Sequence, residues 1–109
     1  MTFSKGDIVR VNLNPVRGHE QGKNRPVLVI NSVPLPGGMN LVLPITSKKK
    51  TYPLEVKLDN RTITQGIVLC FQIRAIDLKK RKGEFIEKAP IDITETCSDY
   101  VHRLVDKPF

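Results

Sequence analysis

In the run 23-KNRPVLVI-30 a guanidinium, that of Arg25, stands directly before Pro26 and an apolar stretch. A proline holds the residue before it to extended backbone, so Arg25 is expected as the first residue of a strand, with its side chain at the rim of a polar loop spanning residues 17 to 25. Further along, Thr46 closes another apolar run and is followed by Ser47, Lys48, Lys49 and Lys50. If these two strands pair as a hairpin, the guanidinium and the hydroxyl share one rim. Guanidinium donates two parallel hydrogen bonds to phosphate oxygens and the hydroxyl adds a shorter one, so the pair beside a basic loop would make a phosphate site. His19 next to Glu20 offers an imidazole with a carboxylate to orient it, the parts of a general base. Plainer readings stand beside these. An arginine before a buried strand can simply pair with a carboxylate such as Glu20 or Asp7, threonines end strands routinely, and a loop histidine can be merely exposed.

The chemistry that is missing narrows the field. The sequence contains no glycine-rich phosphate loop, no cluster at metal-ligand spacing and no convincing pair of catalytic carboxylates, so neither a metal nor a cofactor is expected. Cys70 and Cys97 have no second Cys or His at ligand spacing and read as small buried hydrophobes in a reducing compartment. The balance of 18 basic against 11 acidic residues, net +7, favours polyanionic partners. The positive charge is grouped: Lys48 to Lys50, Lys79-Lys80-Arg81-Lys82, and Arg17, Lys23 and Arg25 around the first loop. Each run taken alone reads as a solvated loop.

These residues need a scaffold, and 109 residues with 39% hydrophobic content suit a single domain, 1–109. The alternation in 7-DIVRVNL-13 predicts a strand with one face on a core. The run 25-RPVLVI-30 is apolar on both faces, as in a strand covered on two sides. Residues 40–46 read as a third strand, where Pro44 predicts an edge or a bulge. Residues 54–58 alternate cleanly, and 66–76 is long enough to bend and serve two neighbours. Five or so short strands favour a small, partly open barrel. In 92–105, Ile93, Cys97, Tyr100, Val101 and Leu104 fall on one helical stripe, Asp92 and Glu95 have capping-box spacing, and His102 lies off the stripe toward solvent. No apolar run approaches the roughly 20 residues of a membrane span, and the first residues lack a signal peptide's apolar stretch, so a cytoplasmic protein without membrane contact is expected.

The segments 6-GDIVRVNLNPVRGHEQGKNRPVLVI-30, 44-PITSK-48 and 66-GIVLCFQIRAID-77, in this order, resemble the MazF/PemK (Kid) family of toxin endoribonucleases from type II toxin–antitoxin modules. The likeness runs from about Lys5 to Asp77. It implies a mainly β fold, a small SH3-like, partly open barrel with a C-terminal helix, and a homodimer. It also implies metal-independent cleavage of single-stranded RNA by the substrate's own 2′-hydroxyl, and neutralisation by a cognate antitoxin of the MazE/PemI kind. On this resemblance Arg25 matches a group for proton transfer and phosphate stabilisation, and Thr46 a transition-state donor. Glu20, Gln21 and His19 match loop positions for orientation, proton transfer or base reading. Gln72 and Arg74 would line the groove, with Arg17, Lys23, Ser47, Lys48 and Lys49 on RNA. One position departs: many relatives carry an acidic or amide residue where this chain has Phe71, which could stack on an unpaired base or simply pack. The general base is therefore open, and two other readings stay in play: a barrel that binds single-stranded RNA without cutting it, and a gyrase-directed toxin of the same fold.

Overall fold

The computed structural model describes residues 2–14, 18, 23–48 and 53–106. Strand alternation builds two cores on opposite faces of one sheet. Strands β1 (Asp7–Asn12), β2 (Asn24–Val29) and β3 (Asn40–Thr46) are antiparallel neighbours. Ile8 pairs with Leu28 and Leu28 with Leu43; one residue on, Val9 pairs with Val27 and Val27 with Pro44. The first row joins Ile45 and Val68 in a core beneath the helix, and the second belongs with Val11, Leu13, Val29, Val42, Ile76 and Leu78. This double duty is why β2 is apolar on both faces. Each fully buried aliphatic side chain stabilises the fold by roughly 1.5–3 kcal/mol.

The long apolar run 66–76 does bend. It divides into β5 (Ile67–Leu69), a single 3₁₀ turn at Cys70–Gln72, and β6 (Arg74–Ile76). Strand β5 lies between β3 and the edge strand β4 (Glu55–Lys57), while β6 pairs with the beginning of β3. Strand β3 is thus central, and the edge expected at Pro44 is corrected. Pro44 falls where neither β5 nor β6 pairs with β3, so its missing N–H removes no ladder bond on that side. A further strand, β7 (Glu84–Lys88), pairs with β1 across a bulge at Ile8/Val9 and brings the sheet to seven strands. Its pattern, 84-EFIEK-88, carries too little alternation to be read as a strand. The sheet is not closed, in line with a partly open barrel.

Helix α1 (Ile91–Val105) seats Ile93 and Cys97 in the first core, with Tyr100 and Val101 packed against it. The expected capping box does not form. The helix starts a residue early, its cap position is Pro90 without a side-chain bond, and Asp92 lies in the first turn. There the Arg61 guanidinium takes Asp92 in two bonds of 2.9 Å and holds Asp59 as well, while Glu95 meets Lys5. A tertiary arginine has outcompeted the local cap. His102 is exposed, as expected. Both cysteines are buried, and the neighbouring Cys70 together with burial pushes the Cys97 thiol far up, away from the reactive thiolate. Among the described residues no helix is long and apolar enough to cross a membrane.

The segment before β5 is held to β7 by Glu87, whose carboxylate accepts from the Ile63 and Thr64 amides and from the Thr64 hydroxyl at 3.0, 2.7 and 2.8 Å. Burial opposes the charge on Glu87, but these bonds from Thr64 and Ile63 outweigh it and hold the carboxyl below its ordinary value of 4.5. A group depressed on folding contributes stability that is complete above its unfolded value and is lost as pH falls through the folded one. Acid titration of the melting temperature is therefore expected to show a drop beginning below about pH 4.5 that is shallower in Glu87→Gln. Equal acid limbs in the two proteins would remove this clamp.

Candidate active site

The first loop is pinned at its neck. Leu13 N donates to Lys23 O at 2.8 Å, Lys23 N donates to Asn14 Oδ1 at 2.9 Å, and Lys23 takes a left-handed φ of 63° to turn the chain into β2. Two arginines grip the same neck from outside: Arg74 Nη1 donates to Leu13 O, and Arg81 Nη1 to the carbonyls of Asn12 and Asn14. Arg74, expected to line a groove, is thus committed to main chain in this structure. Arg81, which reads in the sequence as one member of a solvated basic run, is a clasp of the loop. No local signal distinguishes it from its lysine neighbours, because its partners lie more than 60 residues away.

Arg25 is the second residue of β2, half-buried and opposite Val11. The β2–β3 register ends at Val27 opposite Pro44. The ladder stops two residues short of Arg25 and of Thr46, and Thr46 pairs with Ile67 of β5. The β2–β3 hairpin itself is present. Thr46 itself is fully buried, and its Oγ1 accepts the Lys48 amide at 3.2 Å, which shapes the turn after β3 and leaves the hydroxyl proton for another acceptor.

Beside Arg25 lies a cleft of about 340 Å³ bordered by Arg10, Arg25, Ser47, Ile63, Thr64 and Gln65. Arg10 and the 63–65 segment were not singled out by sequence, since Arg10 reaches the cleft by strand pairing opposite Pro26 and the segment is held by the Glu87 clamp. Thr46 does not border this cleft. A larger cavity of about 700 Å³, bordered by Phe3, Leu35, Asn40 and Lys80 among others, lies at the opposite end of the strands and contains none of the candidate residues.

Ser47 and Lys48 are exposed in the turn after β3, and Lys23 is exposed at the loop neck. Phe71 and Gln72 are half-buried in the 3₁₀ turn after β5. His19, Glu20, Gln21, Arg17 and Lys49 lie outside the described residues. Among the described residues no group of three or more His, Cys, Asp or Glu side chains could hold a metal ion.

Arg25 thus stands at the start of β2 and Thr46 at the end of β3 in a small open antiparallel sheet. Residues 4–105 match the PemK-like, MazF-like toxins of type II toxin–antitoxin systems, and the chain belongs to that family. It is 38% identical to endoribonuclease PemK of Escherichia coli over 98 residues, covering 81% of this chain and 71% of that protein. Against the endoribonuclease toxin ChpB of Escherichia coli K12 it is 34% identical over 100 residues, 85% of each. Among solved structures, MazF from Deinococcus radiodurans superposes with a TM-score of 0.88 at 33% identity, covering 96% of this chain and 97% of that one. The MazE–MazF complex from the same organism gives 0.82 at 32% identity, covering 96% of each.

Proposed function

We propose that this protein is a cytoplasmic endoribonuclease toxin that cleaves single-stranded RNA, works as a homodimer, and is silenced by a cognate antitoxin. Relatives named endoribonucleases, similar along most of the chain, support the activity, and MazE–MazF complexes of a close structural neighbour support the partner. The observation that supports particular residues is the antiparallel β2–β3 hairpin, in which β2 begins beside Arg25 and β3 ends at Thr46.

In the proposed reaction the ribose 2′-oxygen attacks the adjacent phosphorus. An O2′–P bond forms, the P–O5′ bond breaks, the 2′-proton passes to a base and the departing 5′-oxygen takes up a proton. The products are a 2′,3′-cyclic phosphate and a 5′-hydroxyl, and no metal enters. Arg25 is assigned the extra charge on the phosphorane and a share in proton transfer, because a fixed guanidinium needs no reorganisation as the charge develops. Thr46 is assigned a hydrogen bond to the same phosphate. Its burial means that the Ser47–Lys48 turn must yield as substrate seats. His19 and Glu20 remain the loop candidates for the base.

One experiment tests the whole reading: incubation of the protein with a long unstructured RNA in EDTA, followed by mapping of the fragment ends. Discrete cuts with cyclic-phosphate and 5′-hydroxyl ends are expected. A gel shift without fragments would make the protein a binder, and failure of DNA supercoiling before loss of RNA on expression would point to gyrase.

A further inference from the structure

The cleft of about 340 Å³ has a second guanidinium on its border, that of Arg10. Val9 and Val11 on either side of it are buried in the second core, so alternation turns Arg10 to the opposite face of β1, the face of Ile8. Two other border residues belong to that face, since Ile45 lies in the core beneath α1 and Ile86 packs against it. Arg10 is exposed, and among the described residues it has neither an ion pair nor a hydrogen bond. Glu84 stands opposite it on β7 without pairing, and the Glu87 carboxylate is spent on Ile63 and Thr64.

The lining decides what the cleft can hold. No Asp or Glu among the described residues borders it, while Asn24, Ser47 and Gln65 bring exposed amide and hydroxyl donors to its rim. A planar cation among neutral donors, with no carboxylate to answer it, suits phosphate: two oxygens take the guanidinium in parallel bonds, and the other donors reach phosphate or sugar. An acidic peptide would satisfy the charge, but the neutral donors and a volume at the lower end of the roughly 300–1,000 Å³ of small-ligand sites favour a nucleotide unit.

Register separates Arg10 from the scissile linkage. Arg10 stands opposite Pro26, and Arg25, one residue back along β2, stands opposite Val11. The two arginines are neighbours along the backbone but start on opposite faces of the strand pair. They suit two linkages of one strand, not one phosphate gripped from both sides.

We propose that Arg10 holds a backbone phosphate of the RNA near the scissile bond but distinct from it, a binding contact that adds affinity without reading sequence. This inference rests on the RNA-cleaving reading of the site and carries the path of the substrate onto the other face of the sheet.

The test follows fluorescence anisotropy of one mixed-sequence single-stranded oligonucleotide with 2′-deoxy sugars, which cannot cyclise, at several salt concentrations. Single-turnover cleavage of the RNA of the same sequence is measured in parallel. Arg10→Ala is expected to weaken binding by about 5–20-fold at low salt and to reduce the slope of log affinity against log salt by about 0.7, the value of one single-strand phosphate contact. Its cleavage rate at saturating protein should stay within about 2-fold of wild type, and its melting temperature within about 2 °C, since the side chain is exposed and unpaired. Arg10→Lys should restore the salt slope. Arg103→Ala, which removes the same charge from an exposed position on α1, should leave binding nearly unchanged. Unaltered affinity and slope in Arg10→Ala, an equal loss in Arg103→Ala, or a loss confined to the saturated rate would each overturn the proposal and leave the endoribonuclease reading standing. Unaltered oligonucleotide binding with a weaker hold on poly-glutamate would overturn it too and assign Arg10 to an acidic protein partner. Binding that depends on Arg10, with no cleavage by wild type, would sink the endoribonuclease reading alone.

Discussion

Arg25→Ala is expected to lower single-turnover RNA cleavage by about 10²–10⁴-fold, the size of acid–base and charge-stabilising contributions in enzymes. The side chain is half-buried at the end of a strand, so truncation removes little packing and the melting temperature should fall by no more than about 5 °C. Arg25→Lys is the sharper companion. Lysine keeps the charge but offers a point donor in place of the planar fork that matches two phosphate oxygens. It should recover only part of the rate, with the remaining deficit in the rate of the bound complex more than in binding. Full cleavage by Arg25→Ala would remove this side chain from the mechanism.

The largest expected loss of stability comes from Gly66→Ala. Gly66 has a φ of +131°, a region that residues with a Cβ rarely adopt. A Cβ there would collide with the Thr46 carbonyl oxygen and lie 3.0 Å from its carbonyl carbon, with Ile45 Cγ2 at 3.3 Å. The obstacle is main chain of the central strand, not the tip of a flexible side chain. Gly66 O also accepts the Leu58 amide at 2.9 Å, so the backbone cannot swing aside without breaking a bond. Strain and displacement together should cost about 2–4 kcal/mol, or roughly 10 °C or more of melting temperature. Because the collision is with Thr46, cleavage at temperatures where the variant is folded should fall as well. A melt within about 2 °C of wild type would show that β3 gives way easily.

These two positions differ in how far they could be read ahead of the fold. Arg25 was visible because the signal is local: Pro26 fixes the backbone beside it, and an apolar strand follows at once. The strands β1 to β3, the two-sided apolar pattern of β2 and the stripe of α1 were legible for the same reason, since side-chain periodicity reports which face is buried. Gly66 reads in the sequence as a turn residue at most; its role depends on Thr46, brought alongside by the β3–β5 ladder.

By itself the sequence determined the small basic open barrel with a terminal helix, the family it belongs to, and the strands that carry Arg25 and Thr46. All of these rest on periodicity, proline and glycine punctuation and ordered motifs, which act over a few residues at a time. Only the tertiary structure decided that Arg61 and not a capping box holds the start of α1, that Arg74 and Arg81 clasp the neck of the loop, and that β7 completes the sheet. It alone set Gly66 against the main chain of Thr46. Each of these depends on partners far apart in the chain, and no local pattern encodes which distant carbonyl or carboxylate an arginine will find once the sheet has formed.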